Sequence, residues 1–172
     1  GFRDGVVSLG DEGLDFAGRI GPLPESYLRA SRVGEVRRVV CGCPSYFKRE
    51  GLPRQLEDRV NHRIIRARPV TPTDEWRFKD HRAVRIKPQL NFSSVAAAIS
   101  AAQSGLGLTR VLSYQIGPEL GGGSLKTELS DWEPPALPVN LVHAEGPRIS
   151  AKVRQFLELA TPKLREHPHL VF

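Results

Sequence analysis

Two cysteines and one histidine carry the side chains best suited to nucleophilic or metal chemistry: Cys41 and Cys43 in Val-Val-Cys-Gly-Cys-Pro, and His62. A thiol and an imidazole could form a nucleophile and its base, but such a pair needs a third group to orient the ring, and none is apparent. Cys-x-Cys with no second ligand pair is a poor metal pattern. Residues i and i+2 of a strand share a face. The two cysteines are therefore read as small apolar side chains at a strand end, a part cysteine readily plays. Asp15 and Arg19 also share a strand face, and they read as an ion pair or as separate surface contacts rather than a catalytic couple. No cofactor or metal site is implied.

Binding chemistry is better represented. Asn91-Phe92-Ser93-Ser94 precedes a run in which Val95, Ile99, Ala102 and Leu106 fall on one helical stripe. Ala96, Ala97, Ala98 and Ala101 keep that helix slim enough to lie close against a sheet. Asn91, Ser93 and Ser94 offer oxygens to the first-turn amides, and Gly105 is placed to end the helix in a left-handed turn. Leu108, Val111 and Leu112 then suggest a short buried strand. A helix start of this kind has free N–H groups and a positive dipole end, which suit an anionic or carbonyl ligand. The same pattern also describes an ordinary capped helix in an α/β unit.

The chain of 172 residues fits one domain or two small lobes. Its composition is 40% hydrophobic and 26% charged, as expected of a globular protein. No apolar run approaches the ~18 residues of a membrane span. Gly1-Phe2-Arg3-Asp4 runs straight into polar sequence, unlike a signal peptide. The expected setting is the cytoplasm, which two cysteines and no leader also fit. A first residue of Gly and the absence of Met suggest a piece of a longer protein. The net charge of +6 comes from basic residues scattered among acids, with no zinc-finger spacing, RNA-binding signature or helix-turn-helix.

The elements that would position these groups alternate along the chain. Leu14 to Gly21 reads as a strand stopped by Gly21-Pro22-Leu23-Pro24. Tyr27–Arg32 reads as extended, and Glu35–Cys41 as a β-rich run. Pro44 starts a short helix that Gly51 ends. Gln55–Asn61 adds helical turns, and Arg63–Arg66 a strand. Arg82–Leu90 alternates before the alanine-rich helix. Ser113–Leu120 is helical, Gly121-Gly122-Gly123 breaks the chain, and Leu125–Leu129 is an amphipathic strand. Val139–His143 is a strand, and Ser150–Ala160 a helix. This order predicts an α/β fold with mainly parallel sheets.

Eight pieces in order resemble the effector-binding region of a LysR-type transcriptional regulator. They are Asp11–Ala17 running into Arg19-Ile20-Gly21; Cys43-Pro44-Ser45-Tyr46-Phe47; Asp58–His62; Trp76-Arg77-Phe78; Asn91 through Gly107; Leu112-Ser113-Tyr114; Gly123-Ser124-Leu125; and Pro138–His143 with Phe156. Three departures stand out: Arg59 replaces the Leu of Asp-Leu-x-x-His, Cys43 stands where Ser is common, and Gly18 replaces a larger apolar residue. The resemblance implies a periplasmic-binding-protein-like (type 2) two-lobe fold, N-terminally truncated. Residues 1–41 and 144–172 would form an incomplete first lobe and 42–143 the second, with the DNA-binding helix-turn-helix domain outside this chain.

The implied function is to sense a small organic effector, anionic in character, and to pass a lobe rearrangement to that DNA-binding domain. A solute-binding protein of a transport system is the alternative with the same fold. The resemblance implies no enzymatic activity. It places the effector in the cleft between lobes, lined by Gly21, Pro22 and Leu23, by Arg68 and Thr71, and by Asn91, Phe92 and Ser93. Each has a plainer reading, as turn, solvated surface or core. The implied partners are a second copy in a homodimer or tetramer, DNA only through the N-terminal domain, and RNA polymerase for the full-length protein, with no membrane. This chain alone should show only salt-sensitive, non-selective attraction to DNA. A shift assay at physiological salt checks this, and tight, sequence-selective binding would contradict it.

Overall fold

The computed structural model describes residues 6–8, 16–20 and 28–144. By internal contacts the chain divides into two units, one drawn from Gly1–Val36 and Ala136–Phe172, the other formed by Arg37–Pro135. In the first unit, strands β1 (Val6–Ser8), β2 (Phe16–Ile20), β3 (Leu28–Val36) and β11 (Leu137–Ala144) form a sheet of order β1-β2-β11-β3. Every pairing in it is antiparallel. Its register shifts between Val139 and Asn140, where β11 passes β3. The expected helix at Ser150–Ala160 lies outside the described residues.

The second unit has a five-stranded sheet of order β10-β4-β9-β5-β8. Its strands are β4 (Arg38–Gly42), β5 (Ile64–Ala67), β8 (Leu90–Phe92), β9 (Leu108–Leu112) and β10 (Lys126–Glu128). A separate hairpin pairs β6 (Glu75–Arg77) with β7 (Ala83–Arg85), setting Trp76 opposite Val84. The helices are α1 (Pro44–Glu50), α2 (Val95–Gln103) and α3 (Gly117–Gly122). The α/β class holds, but the expectation of mainly parallel sheets is corrected to mixed pairing. Among the described residues only β5 runs parallel to its neighbours, β8 on one side and β9 on the other. Parallel pairing needs a crossover, and the helical crossover here is β8–α2–β9. Elsewhere direct connections and long returns give antiparallel neighbours.

The division falls at Val36/Arg37 and Pro135/Ala136, earlier than the expected 41/42 and 143/144. Pairing explains the difference. The β-rich run Glu35–Cys41 is two strands in two sheets: β3 pairs with β11, whereas β4 pairs with β9 and β10. The Arg37-Arg38 pair interrupts the apolar alternation there, but the partners that draw the two strands into separate sheets lie far along the chain.

Local chemistry explains α1 closely. Pro44 occupies the first turn, Lys48 and Arg49 sit in the last turn against the negative dipole end, and Gly51 ends the helix at φ 84°. Tyr46 and Phe47 are its buried residues. In α2, Ala98, Ile99, Ala101 and Ala102 are buried, and Gly105 turns the chain left-handed at φ 79°. Leu106 departs from the expected stripe, at 41% exposure, because Gly105 has already turned the chain out of the helix.

The core of the second unit joins Val39, Ile65, Leu108 and Val111 to Tyr46, Leu56, Trp76 and Ile116. Gly107 makes its tightest backbone approach. With φ 153°, a Cβ there would lie 2.5 Å from the Arg63 carbonyl oxygen, and Leu108 N donates to that same oxygen at 2.8 Å. Gly107→Ala should therefore destabilise the chain by more than ~1 kcal/mol. Urea unfolding checks this, and an unchanged midpoint would contradict it.

Candidate functional site

Parallel pairing of β5 with β8 sets Arg66 opposite Asn91 and Ala67 opposite Phe92. The bond from Arg68 N to Phe92 O, 2.9 Å, extends the ladder one step. The C-terminal ends of the two strands thus bring the segment after Ala67 beside the segment leading into α2. Val70 N and Thr71 N both donate to Ala67 O, at 3.0 and 2.8 Å, folding the first segment back on its strand. Thr71 is buried at 4% exposure, whereas Arg68 is exposed and has no side-chain partner among the described residues.

The helix start differs from the sequence expectation. Asn91 and Phe92 belong to β8, an edge strand, and not to the cap of α2. The cap is Ser94, whose Oγ accepts from Ala97 N at 3.3 Å while its carbonyl accepts from Ala98 N at 3.2 Å. Ser93 is exposed between strand and cap. The Val95 and Ala96 amides have no intrahelical acceptor, as the first turn of any helix requires. Two amides, the Ser93 hydroxyl and the backbone of exposed Arg68 therefore lie about the C-terminal edge of the sheet, where β5 and β8 end, groups whose types suit an oxygen-bearing anion. Of the residues expected in a pocket, Arg68, Thr71, Asn91, Phe92 and Ser93 share this edge. Gly21, Pro22 and Leu23 lie outside the described residues.

Cys43 and His62 both contact Tyr46, one through its amide and the other through its hydroxyl. Cys41 is fully buried, and burial, with the Glu119 charge second, pushes its thiol up to about 12, far from the thiolate a nucleophile needs. Cys43 has left the strand to cap α1, its sulfur accepting from Tyr46 N at 3.4 Å and lying 3.1 Å from Ser45 Oγ. His62 Nδ1 lies 2.8 Å from Tyr46 Oη, and burial holds the imidazole below its usual value. Among the described residues, no group of three or more His, Cys, Asp or Glu could hold a metal ion. No helix among them is long and apolar enough to cross a membrane.

Sequence reasoning missed one buried charge. Arg110, in the middle of β9, is 4% exposed. Its guanidinium lies 4.9 Å from the centre of the Phe78 ring and donates to the Arg77 carbonyl, while Nε has no partner. Desolvation first, and Arg38 second, lower its pKa to about 10. The signal was a single arginine inside the apolar run Leu-Thr-Arg-Val-Leu. Nearby, Arg37 Nη1 bonds Glu133 Oε2 at 2.7 Å, and burial holds the Glu133 carboxyl above its ordinary value.

Residues 1–165 match the family model described as the LysR substrate binding domain. A regulator of Xanthomonas campestris pv. campestris (strain 8004), called an HTH-type transcriptional regulator, is 30% identical over 172 residues, covering 92% of this chain and 50% of that protein. The chain thus spans about half the length of the curated relatives it matches. The regulatory domain of AphB from Vibrio vulnificus, treated with cumene hydroperoxide, superposes with TM-score 0.75 at 23% identity, over 84% of this chain and 73% of that one. The CrgA regulatory domain, from a LysR-type transcriptional regulator of Neisseria meningitidis, superposes with TM-score 0.74 at 24% identity, over 91% and 81%. At these identities the superpositions speak for the fold.

The capping geometry separates two adjacent serines. Ser94→Ala should lower stability by ~1 kcal/mol, whereas Ser93→Ala should change it by less than ~0.5 kcal/mol. Thermal unfolding of both variants checks this, and equal losses would contradict the assignment of the cap.

Proposed function

The chain belongs to the LysR substrate-binding domain family, the effector-binding part of LysR-type transcriptional regulators, and from that premise we propose that it senses a small organic effector with an anionic or carbonyl end. Its fold is the two-lobe periplasmic-binding-protein-like one, and the family consists of transcriptional regulators rather than enzymes. The observation supporting the site is the bond from Arg68 N to Phe92 O, which sets Arg68 beside the segment leading into α2 at the C-terminal ends of β5 and β8. The first-turn amides would hold a carboxylate or carbonyl oxygen. Ser93 would add one hydrogen bond and Arg68 the counter-charge. Phe92 would supply apolar contact, with Asn91 and Thr71 as polar neighbours, and Gly21, Pro22 and Leu23 would contribute from elsewhere in the chain.

The effector must bind one conformation more tightly than another, since equal affinity shifts nothing. The bias would pass to a DNA-binding part of the longer protein, acting in the cytoplasm as a homodimer or tetramer, with RNA polymerase as a further partner. The alternative of a transport solute-binding protein is set aside because the matched relatives are transcriptional regulators.

A thermal-shift screen of small organic acids, followed by calorimetry, tests this reading. Ser93→Ala should weaken a hit by ~0.5–1.5 kcal/mol, and Arg68→Gln by ~1.5–3 kcal/mol if Arg68 meets a charged group. Unchanged affinity in both variants would retire the site.

A further inference from the structure

We propose a second ligand site, for a small organic carboxylate, at the N-terminal ends of β5 and β8, the opposite end of this strand pair from Arg68 and Ser93. A pocket of about 320 Å³ opens there, with Arg59, His62, Arg85, Lys87 and Gln89 as its polar lining. Among the described residues, no carboxylate lines it. The acids whose charges reach His62, Asp58 and Glu50, are committed elsewhere: Asp58 Oδ2 accepts from Arg54 N and Gln55 N at 2.8 and 2.9 Å, and Glu50 pairs with Arg49 at 3.2 Å, while Glu57 pairs with Arg82 at 2.8 Å.

Hydrogen bonding has already used the acceptors in this pocket and left the donors. Gln89 Oε1 takes Ile64 N at 2.7 Å, so its amide nitrogen remains to donate. Arg59 donates Nε to Arg85 O at 2.8 Å and Nη1 to Leu56 O at 3.0 Å, which fixes the guanidinium and leaves Nη2 without a partner among the described residues. Arg63 N donates to Tyr46 Oη at 3.3 Å, and that hydroxyl lies 2.8 Å from His62 Nδ1. Arg85 and Lys87 are exposed and have no acidic partner among the described residues. The remaining lining is apolar: Ile64 and Ile86 in the wall, and Val60, 75% exposed, at the rim. Convergent donors with an apolar wall suit a carboxylate on a hydrocarbon body better than a bare inorganic anion.

The test titrates benzoate and, separately, inorganic phosphate into the 172-residue chain, following backbone amide shifts by NMR. Saturable benzoate shifts are expected at Val60, Ile86 and Gln89, with phosphate binding more weakly. The variant Arg85→Gln/Lys87→Gln changes two exposed side chains and should bind benzoate about tenfold or more weakly. Shifts confined to Ser93 and Val95 would overturn this proposal while supporting the effector site. Unchanged affinity in the double variant, absence of saturation, or phosphate binding as tightly as benzoate would also overturn it.

Discussion

Every residue of β9 is buried, and that single fact constrains the rest of the second unit. Successive side chains of a strand point to opposite faces, so a fully buried strand needs cover on both. It also needs a paired neighbour on each edge, which β4 and β5 supply, one antiparallel and one parallel. Arg110 lies within this constraint. A buried guanidinium without a carboxylate at contact distance is costly. Here the Phe78 ring and the Arg77 carbonyl replace part of its water. Phe78 packs edge-on against Trp76, with ring centroids 6.4 Å apart, so the β6–β7 hairpin and the central strand are tied through one cation.

The same sheet fixes where polar chemistry can occur. Strands β8 and β9 lie on either side of β5, so the crossover β8–α2–β9 must pass over β5. A bulky helix would be held away from the sheet, whereas one burying Ala98, Ala101 and Ala102 can lie close. Only Ser93 and Ser94 link β8 to α2, so the helix begins at the strand ends, beside the segment that Arg68 opens. The proposed site is a consequence of topology before it is a matter of particular side chains.

This explains what was legible in the sequence. Pro44 to Gly51 was readable because caps are local, and Gly105 was readable for the same reason. Asn91 and Phe92 were misplaced because β8 is three residues long and half-buried, too short to display a period beside a strong helical stripe. Strand direction and the split of Glu35–Cys41 into two sheets were hidden, since both depend on partners far along the chain. The family resemblance supplied the class that periodicity could not.

Charge completes the argument. The net charge of +6 suggested a diffuse basic surface, but many arginines are matched with carboxylates: Arg37 with Glu133, Arg66 with Asp74, Arg77 with Glu75 and Arg82 with Glu57. Among the cations left without a carboxylate are Arg68 at one end of the β5–β8 pair and Arg85 and Lys87 at the other. Strand ends are where the backbone ladder stops and side chains can reach beyond the sheet while their stems still rest on it. A cation there keeps its hydration until an anion arrives, so it avoids the desolvation that burdens Arg110. Charge placed at the ends of the β5–β8 pair thus remains available to a ligand, whereas charge buried within the sheet is committed to structure.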